Sequence, residues 1–108
     1  MNKIQLQTQR NNTRRLFKHS SGIHVNCVRL NCGNTLRHEE KKMQICWDLL
    51  KEQKQFICEA EFENGSGRAD IVVLDPPAHI IEIVHSETTK SIEAKHSKYP
   101  LEIKVIKC

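Results

Sequence analysis

Hydrophobic residues recur with helical spacing between residues 38 and 54. They stand at positions i, i+3, i+4 and i+7, namely Met43, Cys46, Trp47 and Leu50. This spacing predicts an amphipathic helix, for which Thr35 is a suitable N-cap. At about 100° per residue, Glu39 falls on the midline of the apolar stripe, whereas Glu40 falls towards its edge. A carboxylate on a core-facing stripe requires a partner, because burial of an unpaired charge is costly.

Four later stretches have the pattern of β-strands, and one has the pattern of a helix. Residues 55–63 alternate, which predicts Phe56, Cys58, Ala60 and Phe62 on one face of a strand. The continuous apolar runs in residues 68–74 and 79–84 are typical of central strands. A second helix is expected over residues 86–98, and a last strand over 101–106.

The order of these elements is helix, three strands, helix and strand, which predicts one α/β domain with a mixed central sheet flanked by helices. The strand–helix–strand connection at the end predicts that the last two strands are parallel. We place this domain at residues 38–108, with a basic N-terminal arm at residues 1–37. The arm lacks clear periodicity, although the alternation of Ile4, Leu6 and Thr8 suggests a short strand. Residues 23–30 suggest another weak strand.

The charge of the chain is unevenly distributed. Of 17 lysine and arginine residues, seven lie in residues 1–38, which contain none of the 13 acidic residues. A basic arm on a mildly acidic body is a common feature of proteins that bind nucleic acid, although a solvated tail is the alternative. The candidate nucleic-acid-binding residues are Arg10, Arg14, Arg15, Lys18, Arg29, Arg37 and Arg68.

Asp70 and Glu82 are acids in apolar surroundings on strands that should be central. Asp70 precedes Ile-Val-Val-Leu, and Glu82 interrupts a run of isoleucine and valine. Neighbouring carboxylates repel each other unless a cation or a proton lies between them. Mg²⁺ binds to such pairs, together with water and substrate phosphate. The alternative is that each acid forms an ion pair with a basic residue.

The sequence Gly-Arg-Ala-Asp ending at Asp70, followed twelve residues later by Glu82 within Ile-Ile-Glu-Ile-Val, resembles the core of PD-(D/E)xK nucleases. It is most similar to archaeal Holliday-junction resolvases and CoiA-like competence proteins. The resemblance spans about residues 38–106, including His38-Glu39-x-x-Lys42. It implies a restriction-endonuclease-like αβββαβ core, which agrees with the order of elements above.

The resemblance implies that Asp70 and Glu82 are catalytic ligands of Mg²⁺ or Mn²⁺. It implies that Glu39 joins the metal shell and that Glu61 is a weaker candidate. The family has a lysine two residues after the glutamate, where this chain has Val84. We therefore expect a lysine from a helix to assist catalysis.

The lysines predicted for this role are Lys95 first, followed by Lys42 and Lys90.

The number of cysteines is odd, five, which argues against a disulfide framework. No apolar run suggests a signal peptide or a membrane span. We therefore expect a cytoplasmic protein without membrane contact. Cys27 and Cys32 could form half of a zinc site, but no second cysteine pair follows, and ordinary thiols are the favoured interpretation.

Three functions are consistent with these features. The leading hypothesis is a metal-dependent nuclease that cleaves DNA, including branched DNA, with DNA favoured over RNA and a homodimer expected because duplex DNA requires two cuts. The second is a catalytically degenerate nuclease fold that binds nucleic acid. The third is a protein-interaction module whose basic arm binds an acidic partner.

Overall fold

The apolar stretches predicted as strands do form strands. The computed structural model describes residues 1–18, 24–85 and 98–108. In these residues the helices are α1 (Lys3–Arg14) and α2 (Leu36–Lys51), and the strands are β1 (Phe56–Glu61), β2 (Arg68–Val73), β3 (His79–Val84) and β4 (Glu102–Lys107). The helix predicted over 86–98 falls outside the described residues except for Lys98.

The strands form one mixed sheet in the order β1-β2-β3-β4. β1 pairs antiparallel with β2, and β2 pairs antiparallel with β3. β3 and β4 are parallel, which confirms the prediction from the final connection. The acids Asp70 and Glu82 therefore lie on the two interior strands, as the sequence predicted.

The two faces of the sheet carry separate hydrophobic clusters. One cluster contains Cys46 and Leu49 of α2 together with residues such as Phe56 and Ile83. The other is built around Phe62 on the opposite face of the sheet. The functional site described below lies on the α2 side.

The predicted core face of α2 is confirmed for Glu39 and Cys46 but is wrong for Met43, Trp47 and Leu50. The buried residues are Glu39, Lys42, Cys46 and Leu49. Met43 and Trp47 are 57% and 62% exposed, and Leu50 is partly exposed. The helix is thus turned by about 70° from the orientation that its apolar stripe predicts. The cause is Lys42, whose side chain is fully buried because two carboxylates bind it.

The predicted alternation of β1 is also wrong after Cys58. Phe56 and Cys58 face α2, but Ala60 and Phe62 belong to the cluster on the opposite face. The reason is Glu59, which has a left-handed backbone with φ of 52°. This conformation is unfavourable for a residue with a Cβ, and it points Glu59 to the same side as Cys58, where it contacts α2.

The N-terminal segment is helical, not extended as predicted. Residues 4–8 lie in α1, which begins with a capping box between Asn2 and Gln5. The strand predicted over 23–30 is absent from its described part, residues 24–30. Asn26 there has φ of 61° and exchanges hydrogen bonds with Phe56 at the start of β1.

The segment after α1 packs against the sheet. Phe17 is buried and stacks against Phe62 with ring centroids 4.5 Å apart. Arg10 binds Asp75 through two hydrogen bonds of 2.7 and 2.9 Å. The described part of the basic segment is therefore attached to the body of the protein.

No helix among the described residues combines the length and apolar composition that a membrane crossing requires.

Adjacent leucines in α2 test the orientation of the helix. Leu49 is 7% exposed, whereas Leu50 is 38% exposed. We expect Leu49→Ala to lower the free energy of unfolding by about 2–4 kcal/mol and Leu50→Ala by less than about 1 kcal/mol. Urea unfolding followed by circular dichroism measures both variants. A larger loss for Leu50→Ala would contradict the orientation described here.

Candidate functional site

A cleft of about 470 Å³ opens between the start of α2 and the strands. One wall is the loop of residues 31–35, which leads into the helix. The other walls include the side chains His38, Glu59, Arg68, Asp70, Glu82 and Val84. Charged and polar groups from α2, β1, β2 and β3 therefore meet in one place.

Asp70 and Glu82 lie where the ladder between β2 and β3 ends. At the end of the ladder nearest Asp70 and Glu82, the last regular pair is Ile71 with Ile81. Beyond it, the Asp70 Oδ2 atom accepts a hydrogen bond of 2.8 Å from the Ile83 amide. A Glu82 carboxylate oxygen lies 3.4 Å from the Asp70 amide nitrogen. The two carboxylates thus occupy the gap between the strands, and both line the cleft.

His38 connects α2 to this carboxylate pair. Its Nδ1 atom lies 2.9 Å from a Glu39 carboxylate oxygen. Its Nε2 atom lies 3.4 Å from Asp70 Oδ2. The imidazole is mostly buried, with 12% of its side chain exposed, and it lies at the cleft. From the sequence, His38 is part of the family resemblance only, and no role is predicted for it.

The ammonium group of Lys42 is buried and binds Glu39, the carboxylate that His38 also contacts. The Lys42 Nζ atom binds Glu59 at 2.6 Å, Glu39 at 2.9 Å and the Arg29 carbonyl oxygen at 3.1 Å. Burial acts to lower the pKa of Lys42, but its hydrogen bonds to the two carboxylates outweigh burial and raise that pKa. Lys42 does not line the cleft, so its amine is a structural partner of the two carboxylates.

The Glu39 carboxylate is saturated with hydrogen-bond donors. One oxygen accepts from the Asn34 side chain and from His38, and the other accepts from the Asn31 amide and Lys42. Burial opposes ionisation of Glu39, yet these four donors hold its pKa at about 2, below the ordinary 4.5. A carboxylate offers about four acceptor sites, so Glu39 has little remaining capacity for a metal.

Glu59 is a second site residue that sequence reasoning missed, besides His38. Alternation placed it on the same face as Glu61, but its left-handed backbone turns it towards Lys42 and the cleft. The weaker candidate Glu61 instead forms a surface ion pair of 2.7 Å with Arg68. Arg68 is half exposed and lines the cleft, with a second contact of 3.9 Å to Glu59.

The turn before Arg68 depends on a glycine. Gly67 has φ of 146°, and a Cβ atom there would lie 2.7 Å from the hydroxyl of Tyr99. The Tyr99 hydroxyl donates a 3.2 Å hydrogen bond to the Arg68 carbonyl oxygen. Gly67 therefore allows Tyr99 to hold the first residue of β2 at the mouth of the cleft.

Val84 lies at the cleft, at the position where the PD-(D/E)xK motif has a lysine. It is 3% exposed, and it lines the cleft together with Glu82. No lysine among the described residues lines this cleft. Lys95, the first candidate for a helix lysine, and Lys90 lie outside the described residues.

The candidate nucleic-acid-binding residues differ in their surroundings. Arg10 is bound to Asp75, and Lys18 contacts Glu61 at 3.4 Å. Four others are exposed, namely Arg14, Arg15, Arg29 and Arg37. Arg68 at the cleft is also exposed.

Cys27 and Cys32 are exposed free thiols. In residues 1–18, 24–85 and 98–108, no three histidine, cysteine or acidic side chains form a preassembled metal site. Asp70 and Glu82 are thus a pair, to which other ligands must be added if a metal binds.

Comparisons with family models, with curated proteins and with solved structures find no match for this chain. The resemblance to PD-(D/E)xK nucleases stays a prediction from its motifs.

The buried cation can be removed by Lys42→Met. We expect this change to lower the free energy of unfolding by about 3–5 kcal/mol, because Glu39 and Glu59 would remain buried without their partner. Adding Glu59→Gln should restore part of that loss. The control is Lys51→Met, an exposed lysine of the same helix, which should change little. Equal losses for the two lysine variants in urea unfolding would contradict the buried network.

The low pKa of Glu39 predicts a loss of stability in acid. The unfolded chain takes up a proton near pH 4.5, before the folded chain does near pH 2. The stabilising contribution of the ionised group is therefore present above pH 4.5 and disappears as the pH falls through that interval. We expect Glu39→Gln to have a lower free energy of unfolding at neutral pH than the unmodified protein. Its free energy of unfolding should also fall less as the pH is lowered. Urea unfolding at several pH values measures both; parallel curves would contradict this prediction.

Proposed function

We propose that this protein is a divalent-metal-dependent nuclease that hydrolyses phosphodiester bonds in DNA, including structured or branched DNA. The observation that carries the proposal is the meeting of Asp70 and Glu82 in one cleft at the end of the β2–β3 ladder. We infer that α2 and the sheet belong to a restriction-endonuclease-like core, in agreement with the motif resemblance.

The donor set fits Mg²⁺ or Mn²⁺. Both ions bind carboxylate oxygens, and Mg²⁺ commonly keeps several waters and takes substrate phosphate as a further ligand. Asp70 and Glu82 would hold the ion, while the cleft leaves room for water and phosphate. The ion would activate a water molecule and stabilise the negative charge that develops on the phosphate.

The basic and acidic residues around the pair then have distinct roles. Arg68 is half exposed at the cleft and can donate charge-assisted hydrogen bonds to a phosphate. Lys42, which was predicted to be catalytic, is a positioning residue because its amine is buried against Glu39 and Glu59. Glu39, which was predicted in the metal shell, positions His38 and Lys42.

The exposed arginines support a nucleic-acid substrate. Phosphate contacts by Arg14, Arg15, Arg29 and Arg37 would release counterions from DNA. Affinity for DNA should therefore fall steeply with increasing salt. Asp75 engages Arg10, so Arg10 supports the fold and contributes less to this surface.

A second candidate function is a nuclease fold that binds nucleic acid without cleaving it. The observation that favours it is Val84, an apolar side chain at the cleft position where the related nucleases have a lysine. That lysine would orient the attacking water or stabilise the phosphate. The degenerate module would bind DNA in a salt-sensitive manner and leave it intact with every divalent metal.

Cleavage assays separate the two candidates. Supercoiled plasmid and four-way junction DNA should be cut by the full chain in the presence of Mg²⁺ or Mn²⁺, and should stay intact with a chelator. Asp70→Asn and Glu82→Gln should each reduce the rate by at least about 100-fold, because each removes a carboxylate that would hold the ion, and the ion would stabilise the transition-state charge.

The control variant is Asp48→Asn, which makes the same chemical change on the exposed side of α2. It should cut at the rate of the unmodified protein. Cleavage by Asp70→Asn at that same rate would remove the nuclease assignment. Salt-sensitive binding without cleavage would establish the second candidate.

A further inference from the structure

The hydrogen bond between His38 and Glu39 fixes the proton on the imidazole ring. The Glu39 oxygens accept hydrogen bonds from the Asn31 amide, the Asn34 side chain and the Lys42 ammonium group, so Glu39 meets His38 as a carboxylate. An ionised carboxylate can only accept, so Nδ1 of His38, 2.9 Å away, is the donor. In the neutral ring, the lone pair then resides on Nε2, which points at Asp70.

Asp70 also presents an acceptor at this contact. Its Oδ2 atom already accepts a hydrogen bond from the Ile83 amide, as a carboxylate oxygen does. Two acceptors, Nε2 and Oδ2, therefore face each other at the cleft. Such an arrangement requires a positive charge between the two atoms, either a proton or a metal ion.

The separation of the two atoms favours a metal ion. Charge-assisted hydrogen bonds between nitrogen and carboxylate are about 2.7–2.9 Å long. The Glu39 contact, at 2.9 Å, has this length, but the Asp70 contact is 3.4 Å. Two ligands that each lie about 2.1 Å from one ion are separated by about 3.0 Å in octahedral and 3.4 Å in tetrahedral geometry.

We propose that His38 is a metal ligand through Nε2 and shares one divalent ion with Asp70. This inference rests on the proposed metal site, and Asp70 is the ligand that the two share. Water and substrate phosphate would complete the coordination, since no three side chains among the described residues already form a site. Glu39 is the residue that orients the ring, as a carboxylate behind a metal-binding histidine does.

A nitrogen ligand changes which metal the site prefers. Mg²⁺ favours oxygen ligands, whereas transition-metal ions gain more from an imidazole. The site should therefore bind Mn²⁺ more tightly than Mg²⁺. Loss of His38 should reduce the affinity for Mn²⁺ more than that for Mg²⁺. Mn²⁺ is also the suitable probe because exposed thiols such as Cys27 compete for softer metals.

The experiment is an electron paramagnetic resonance titration of the full chain with Mn²⁺, followed by competition with Mg²⁺. The main variant is His38→Asn, whose amide can replace Nδ1 as a donor to Glu39 but supplies no atom at the position of Nε2. We expect at least a tenfold loss of Mn²⁺ affinity and a smaller loss for Mg²⁺. Pulsed measurements should detect ¹⁴N coupling to Mn²⁺ in the unmodified protein, and this coupling should be lost in His38→Asn.

Two control variants show whether a change in Mn²⁺ affinity or in ¹⁴N coupling belongs to His38. His79→Gln changes a histidine at the other end of β3, and it should keep both the affinity and the ¹⁴N coupling. His85→Gln tests the other histidine at the cleft. Unchanged Mn²⁺ affinity in His38→Asn, equal losses for both metals, or coupling that survives in this variant would each overturn the inference.

Asp70→Asn separates this inference from the proposed function. Loss of Mn²⁺ binding in Asp70→Asn but not in His38→Asn would leave the carboxylate site intact and overturn the role of His38. Unchanged binding in Asp70→Asn would instead overturn the metal site that the nuclease proposal requires.

Discussion

The arrangement of the site depends on one buried ion cluster, in which Lys42 lies between Glu39 and Glu59. A buried charge is stable only when charged and hydrogen-bonding partners replace its water, and here two carboxylates and a carbonyl oxygen do so. Because the carboxylates belong to α2 and β1, the lysine fixes the helix against the sheet. The geometry of the cleft follows from this attachment.

This cluster explains why two hydrophobic patterns failed as predictions. The apolar stripe of α2 would have buried Met43 and Trp47, but it is the sector containing Lys42 that packs against the sheet. Likewise, the alternation of β1 would have kept Glu59 on the face opposite Cys58, whereas its left-handed backbone points it towards the lysine. In both elements a few short ionic contacts outweigh the preference of the local sequence.

The features that could be predicted depend on local sequence patterns, whereas the others depend on contacts between residues that are distant in sequence. The strands, the parallel pair β3–β4 and the interior positions of Asp70 and Glu82 follow from local patterns, because apolar runs and connection lengths constrain a sheet strongly. The burial of Glu39 also followed from helical phase. The pairing of Lys42 with Glu59 and the positive φ of Glu59 could not be predicted, since both arise from contacts distant in sequence.

The rotation of α2 also decides which side chain of the helix faces Asp70 and Glu82. His38 and Lys42 are separated by one helical turn, so they project from neighbouring parts of the helix surface. With Lys42 buried, His38 lies about 60° from the centre of the packed sector, close enough to reach Asp70. With the apolar stripe packed instead, His38 would lie about 130° from that centre and would point away from the sheet. The buried lysine thus acts on the chemistry of the cleft without touching it, because it brings the imidazole to the carboxylates.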